Sequence, residues 1–277
     1  MDLMLDGDEA WQIKFGYLIR IDFRGDRALS IAAPIEITSP DGTLTTVAPT
    51  RLSLEGALVI RQLRDTVLRA STTDTGRLTV EWASGSKWTV RPRSDRDSWS
   101  ASPTEEGLLI VAGPGGHLRA SDEVVREAKR GGSGVAVSRS DETAPGEPEK
   151  LRVDGHLVTS IEFVYNVTLH FDNRRTITIG CPVHISDPAG RTVLVDPEDS
   201  ADHRPLFLQQ LHQRVTTAVV NEDGGLYVSW ADGSQWRVKP DERYEAWQAT
   251  GMESPTLIIS GPGGELVVWD EPMPWDR

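Results

Sequence analysis

The sequence lacks the features of a secreted or membrane-spanning protein. It has one cysteine, Cys181, among 277 residues, so no disulfide can form within the chain. No apolar run approaches the length that crosses a bilayer. The first residues carry neither a basic stretch nor a long apolar one, so no secretory signal is predicted. We therefore expect a cytoplasmic protein that contacts no membrane.

An excess of basic residues is also missing. The chain carries 29 Lys and Arg against 42 Asp and Glu, which gives a formal net charge of −13 at pH 7. Such a surface repels phosphate groups, so nucleic acid is not an expected partner. An acidic surface favours solubility, and it also suits a basic protein partner, for example a toxin.

What the sequence does contain is an internal repeat. Shifted by 148 residues, the chain aligns with itself without a gap. Residues 81–90 read EWASGSKWTV and residues 229–238 read SWADGSQWRV, which agree at six of ten positions. The stretch between the copies is rich in Gly, Ser and Pro, as flexible linkers are. The predicted organisation is a first β-rich repeat over 1–127, a flexible linker over 128–149 and a second β-rich repeat over 150–277.

Apolar and polar residues alternate along both repeats with the period of half-buried β-strands, most clearly from Ile161 to Ile179. One segment per repeat favours a helix instead. It spans 201–212 in the second repeat, with Ser200 or Asp202 as its cap, and 53–63 in the first. The predicted fold class is α+β, with two tandem copies of a mainly antiparallel β domain, each with one short helix.

Two tryptophans in each repeat constrain the turn that joins their strands. Trp230 and Trp236 lie on one face of the sheet only if the loop between the strands has an odd number of residues. A three-residue loop in which Gly233 takes a positive φ places both indoles in the core. We predict this loop in the second repeat and its equivalent at Gly85 in the first.

Gly-Pro-Gly-Gly occurs once per repeat, at 113–116 and 261–264. A glycine-rich loop can hold a phosphate when it precedes a helix. Here the tetrapeptide lies between two predicted strands, and no Lys-Ser/Thr follows it. We therefore predict a tight β-turn.

The second repeat carries a longer signature with the pattern D-G-x-L…D-G…Y-E-A-W…G-G-x-L-x-x-W. Its parts are Asp223-Gly224, Leu226, Val228, Ala231-Asp232-Gly233, Val238, Pro240-Asp241, Tyr244-Glu245-Ala246-Trp247, Gly251, Gly261-Pro262-Gly263-Gly264-Glu265-Leu266 and Val268-Trp269. This tail resembles a family of actinobacterial domains of unknown function. The resemblance implies a fold and a bacterial source but no reaction. It is weaker in the first repeat, where Arg96-Asp97-Ser98-Trp99 replaces the Tyr-Glu-Ala-Trp tetrad and Ser121 replaces Trp269.

The candidate partner-binding residues are Tyr244, Glu245, Trp247 and Trp269. Tyrosine and tryptophan are frequent interface anchors, and a carboxylate suits a basic partner. The alternative is structural: Trp247 fills the core beside Trp230 and Trp236, and Glu245 pairs with an arginine.

No residue pattern indicates catalysis, a metal or a cofactor. The six histidines lack the spacing of zinc ligands. Cys181 has His184 close in sequence, but Ala33 occupies the matching position of the first repeat, so we interpret Cys181 as a small buried thiol. We therefore expect a non-enzymatic protein-interaction module, such as an immunity protein that neutralises a toxin. The alternative is a small-molecule or carbohydrate-binding protein with a tryptophan-lined pocket, which requires exposed indoles.

Overall fold

A computed structural model describes residues 1–50, 54–102, 109–121, 151–198, 203–251 and 257–269. The predicted linker over 128–149 lies outside these residues. Within these residues, the first repeat forms eleven strands, which are β1 (Ala10–Phe15), β2 (Ile19–Phe23), β3 (Ala28–Ile31), β4 (Ile35–Thr38), β5 (Leu44–Val47), β6 (Val67–Thr72), β7 (Leu78–Trp82), β8 (Lys87–Val90), β9 (Trp99–Ser102), β10 (Leu109–Ala112) and β11 (Leu118–Ser121).

The described part of the second repeat forms eleven matching strands, each beginning and ending 148 residues after its counterpart. They are β12 (Val158–Phe163), β13 (Val167–Phe171), β14 (Thr176–Ile179), β15 (Val183–Ser186), β16 (Thr192–Val195), β17 (Val215–Val220), β18 (Leu226–Trp230), β19 (Gln235–Val238), β20 (Trp247–Thr250), β21 (Leu257–Ser260) and β22 (Leu266–Trp269). The predicted pair of mainly antiparallel β domains is thus confirmed.

Each repeat divides its strands between two sheets in the same order. In the first repeat the orders are β11-β10-β9-β3-β2-β1 and β5-β4-β8-β7-β6. In the second they are β22-β21-β20-β14-β13-β12 and β16-β15-β19-β18-β17. Burial alternates along the strands, as in β18, where Leu226, Val228 and Trp230 are buried and the residues between them are half-buried. One face of such a strand therefore covers the core.

The three-residue loop between the paired tryptophans is confirmed in both repeats. The backbone N–H of Trp230 donates to the Ser234 carbonyl over 3.0 Å, which leaves residues 231–233 as the loop. Gly233 in this loop has a φ of 88°. The Trp230 and Trp236 ring centroids lie 5.0 Å apart. Gly85, with a φ of 87°, closes the equivalent loop of the first repeat.

The helices are shorter than predicted. Among the described residues, only Ala57–Ile60 (α1) and Pro205–Leu208 (α2) are α-helical, and a 3-10 turn over Leu54–Gly56 precedes α1. A residue with positive φ follows each helix within a turn, Arg64 at 68° and His212 at 65°, and this left-handed backbone ends the helical path. The proposed caps Ser200 and Asp202 lie outside the described residues.

The chain divides into two compact units. Among the described residues, the first unit contains 1–13, 18–50 and 62–121, and the second contains 14–17, 54–61 and 151–269. The predicted domain boundaries remain a prediction. No helix within the described ranges combines the length and the apolar character needed to span a bilayer.

Candidate functional site

Six of the tryptophans belong to the cores of the two units. Each is at most 2 % exposed, and they are Trp82, Trp88 and Trp99 in the first unit and Trp230, Trp236 and Trp247 in the second. In the second unit Phe207 packs edge-on against Trp236, with ring centroids 5.1 Å apart. Side chains buried to this degree pack against protein atoms, so they do not support the tryptophan-lined pocket.

Trp247 has a specific structural role in the second unit. Its indole N–H donates to the Gly224 carbonyl over 3.0 Å. Trp99 makes the same bond to the Gly76 carbonyl over 2.8 Å in the first unit. Within the described residues, the other four buried indole N–H groups find no acceptor. Trp247 therefore anchors a turn from inside the core, and its burial removes it from the predicted partner-binding patch.

The Gly-Pro-Gly-Gly segment packs against the turn that Trp247 anchors. It forms a tight turn that includes the 3-10 segment Pro262–Gly264, as predicted. A Cβ added to Gly224 would lie 2.0 Å from the Gly264 carbonyl oxygen, so the two backbones meet where only glycine fits. The signature glycines and Trp247 thus hold two turns together, and this arrangement accounts for them without a ligand.

Tyr244 and Glu245 lie on the surface immediately before β20. Tyr244 is 68 % exposed, and Glu245 is exposed as well. The Asp241 carboxylate accepts hydrogen bonds from the N–H groups of Arg243 and Tyr244 at 2.7 and 3.0 Å, so the segment is an ordered turn. Both side chains are available to a partner.

Trp269 lies away from this turn, at the far end of β22. The strand ladder places Trp247 opposite Ser260 and Ser260 opposite Leu266, so Tyr244 and Glu245 lie near the Leu266 end of β22. Trp269 follows three residues later, about 10 Å along the strand. Of the four predicted residues, the structure brings Tyr244 and Glu245 to one place, puts Trp269 at another and buries Trp247.

The sequence interpretation missed the exposed apolar strand itself. Leu266, Val267, Val268 and Trp269 are 36 %, 38 %, 38 % and 42 % exposed. Among the described strands β22 pairs only with β21, so it forms an edge of its sheet. The available signal was the absence of alternation, since LVVW has no polar residue whereas the matching strand of the first repeat reads LRAS.

Cys181 is a buried free thiol, as expected. Its side chain is 7 % exposed, and its sulfur lies 4.0 Å from the Glu245 carbonyl oxygen. Burial raises the pKa of the Cys181 thiol, and the negative charges of Asp241 and Asp196 raise it further. The thiolate that a nucleophile needs is therefore disfavoured.

Two histidine–carboxylate pairs occur in the second unit. The His156 Nδ1 atom lies 2.7 Å from Asp172, and the His170 Nε2 atom lies 3.3 Å from Glu162. The hydrogen bond from His170 holds the pKa of Glu162 below its ordinary value. Within the described ranges, no three His, Cys, Asp or Glu side chains group closely enough to hold a metal ion.

The fold defines the class of this protein, a tandem pair of antiparallel β domains with matching topology. The chain belongs to the family of unknown function DUF6188, whose model matches residues 1–122 and 150–270. No curated protein matches the chain. The two matched segments coincide with the two repeats that share every strand boundary.

Proposed function

We propose that the chain is a non-enzymatic, cytoplasmic protein-interaction module that binds a basic protein through its second unit. The observation that carries the proposal is β22, where four consecutive apolar side chains are each more than a third exposed. Contiguous exposed apolar surface in a soluble protein marks an interaction site. Isolated exposed apolar residues would not carry this argument.

Charge supports a basic partner. The chain has a formal net charge of −13, and the exposed Glu245 and Glu265 lie near the Leu266 end of β22. Opposite charges speed encounter and exclude acidic competitors. A toxin neutralised by this chain is the specific form of partner that we propose, because immunity proteins are often small, acidic and of mixed α and β structure.

The test is affinity capture from the native host with the tagged full-length chain as bait. We expect one basic protein to be enriched and to co-purify with the chain in a fixed ratio. The double substitution Leu266→Thr with Val268→Thr should abolish the enrichment, since it removes apolar surface from β22. Leu44→Thr is the matched control, because Leu44 is 64 % exposed on the edge strand β5 of the first unit.

Two results would contradict the proposal. One is that no protein is enriched over a resin control. The other is that the enriched protein binds the double variant as well as the parent chain. If the captured protein arrests growth when expressed alone, co-expression of this chain should restore growth, which tests the immunity function directly.

A further inference from the structure

The two units differ at one ion pair beside their matching edge strands. In the first unit Arg119 lies on β11, and its guanidinium is 2.7 Å from the Asp97 carboxylate. The same guanidinium lies over Gly113, where an added Cβ would be 3.2 Å from the Arg119 Nε atom. The first unit therefore supplies its own cation to this position.

The second unit keeps the acid but not the cation. Glu245 occupies the position of Asp97, and Val267 occupies that of Arg119. Among the described residues Glu245 is in no ion pair. Gly261, the counterpart of Gly113, is buried as Gly113 is, and the nearest described atom to an added Cβ is the Glu265 carbonyl oxygen at 3.4 Å. Among the described residues, the second unit thus supplies no cation to Glu245.

The backbone of β22 offers hydrogen bonds near Glu245. The Gly261 N–H donates to the Glu265 carbonyl over 2.8 Å, and bonded pairs alternate along an antiparallel ladder. Val267 and Trp269 therefore bond to β21, whereas Leu266 and Val268 turn their N–H and C=O groups away from it. A charge on an edge strand hinders pairing with another chain; β11 carries Arg119, and β22 carries no charge.

We propose that an extended segment of the partner adds to the outer edge of β22 and places a Lys or Arg beside Glu245. That cation pairs with Glu245 as Arg119 pairs with Asp97, while apolar residues of the segment cover β22. This inference rests on the proposed function, and it specifies the recognition element of the partner as an extended strand with apolar residues and a basic one.

A second copy of this chain fits the site less well. Residues 257–276 contain no Lys or Arg, so the β22 region of another copy brings no cation for Glu245. Both copies would also carry the net charge of −13. Self-association through β22 is therefore an outcome that the test must separate from binding of a basic segment.

The probe is a fluorescein-labelled synthetic peptide of alternating Val, Lys and Thr, titrated with the full-length chain by fluorescence anisotropy. Val267→Arg restores the residue of the first unit, so we expect it to weaken binding about tenfold. Val267→Thr, the matched control, should stay within about twofold because it adds no charge and retains β-propensity. Glu245→Gln should weaken binding about fivefold, and a peptide with Glu in place of Lys should not bind measurably.

The reciprocal substitution provides a second test in the same chain. Arg119→Val removes the cation that pairs with Asp97 in the first unit. The number of peptides bound per chain should therefore rise from one to two. In parallel, amide NMR signals of Leu266 and Val268 should shift on peptide addition to the parent chain. These two residues report strand addition because their N–H groups point outward.

Several results would overturn the inference. They are equal affinity of the Val267→Arg variant, equal affinity for the Glu-containing peptide, or a dimer in sedimentation that Val267→Arg dissociates. If the captured host protein still binds the Val267→Arg variant, strand addition fails and the proposed function stands. If the peptide binds as expected but the host contains no partner, the site stands and the proposed function fails.

Discussion

At the scale of single residues, the indole N–H groups separate two kinds of buried tryptophan. Trp247 donates to a backbone carbonyl, whereas Trp236 has no acceptor among the described residues. Both side chains are at most 1 % exposed and lie in the same unit. Replacement by phenylalanine removes the same atoms at both positions, so the pair of variants isolates the hydrogen bond.

We expect Trp247→Phe to destabilise the second unit more than Trp236→Phe, by about 1–2 kcal/mol. The difference arises because Trp247→Phe leaves the buried Gly224 carbonyl without its donor. Urea denaturation followed by circular dichroism measures both free energies of unfolding. An equal or larger cost for Trp236→Phe would contradict the structural role assigned to Trp247.

The His170–Glu162 pair predicts a pH dependence of stability. Because the folded pKa of Glu162 is lowered below its ordinary 4.5, its contribution is present above that value and is lost as the pH falls through the lowered pKa. His170→Asn should raise the pKa of Glu162 towards 4.5 and lower stability at about pH 5. Once the pH has fallen below the lowered pKa, the carboxyl is protonated in both the folded and unfolded states, so this contribution should vanish. Carbon-detected NMR titration of Glu162 measures the shift, and an unchanged pKa would count against the pair.

At the scale of elements, the contact between two turns explains why the signature contains so many glycines. Gly224 and Gly263 both have positive φ, at 78° and 73°. An added Cβ would meet the Gly264 carbonyl at Gly224, but at Gly263 it would have no neighbour within 4 Å in the described part of the chain. The two positions therefore differ in the room that they leave for a side chain, although both require a left-handed backbone.

We expect Gly263→Ala to cost about 1 kcal/mol, the price of a left-handed alanine, and Gly224→Ala to cost about 3 kcal/mol or more. The larger cost reflects the displacement of one turn from the other. Thermal denaturation of the two variants compares them directly. Similar melting temperatures would mean that the turns can separate without loss of stability.

Strands and turns were predictable because their signals are local. Alternation defines a covered face, and the spacing of Trp230 and Trp236 fixes the loop length whatever the remaining fold. The lengths of the helices were overestimated for two reasons. The apolar residues around Phe207 are held by packing, and no residue type in the sequence indicates the positive φ of His212. The site was missed for a related reason: exposure of Leu266 to Trp269 depends on β22 lying at a sheet edge, which is a property of strand order.

At the scale of the whole molecule, the shared topology makes the differences between the units informative. The twenty-two described strands match in pairs, so a difference between matched positions changes the surface without changing the strand arrangement. Arg119 against Val267 is such a substitution. Neither repeat alone identifies the edge of β22 as a site; the comparison of the two does.

The net charge predicts how a basic segment arrives, separately from how it is held. Long-range attraction by a charge of −13 acts on the association rate and weakens as salt screens it. Val267→Arg changes that charge by only one unit but places a cation beside Glu245. We therefore expect this variant to keep the association rate of the Lys-containing peptide within about twofold and to raise the dissociation rate about fivefold or more.

Stopped-flow measurements at low and high NaCl separate the two rates, because salt should slow association equally in both proteins. A variant that lost affinity through association alone would show that charge steers the peptide to the chain without a local site on β22.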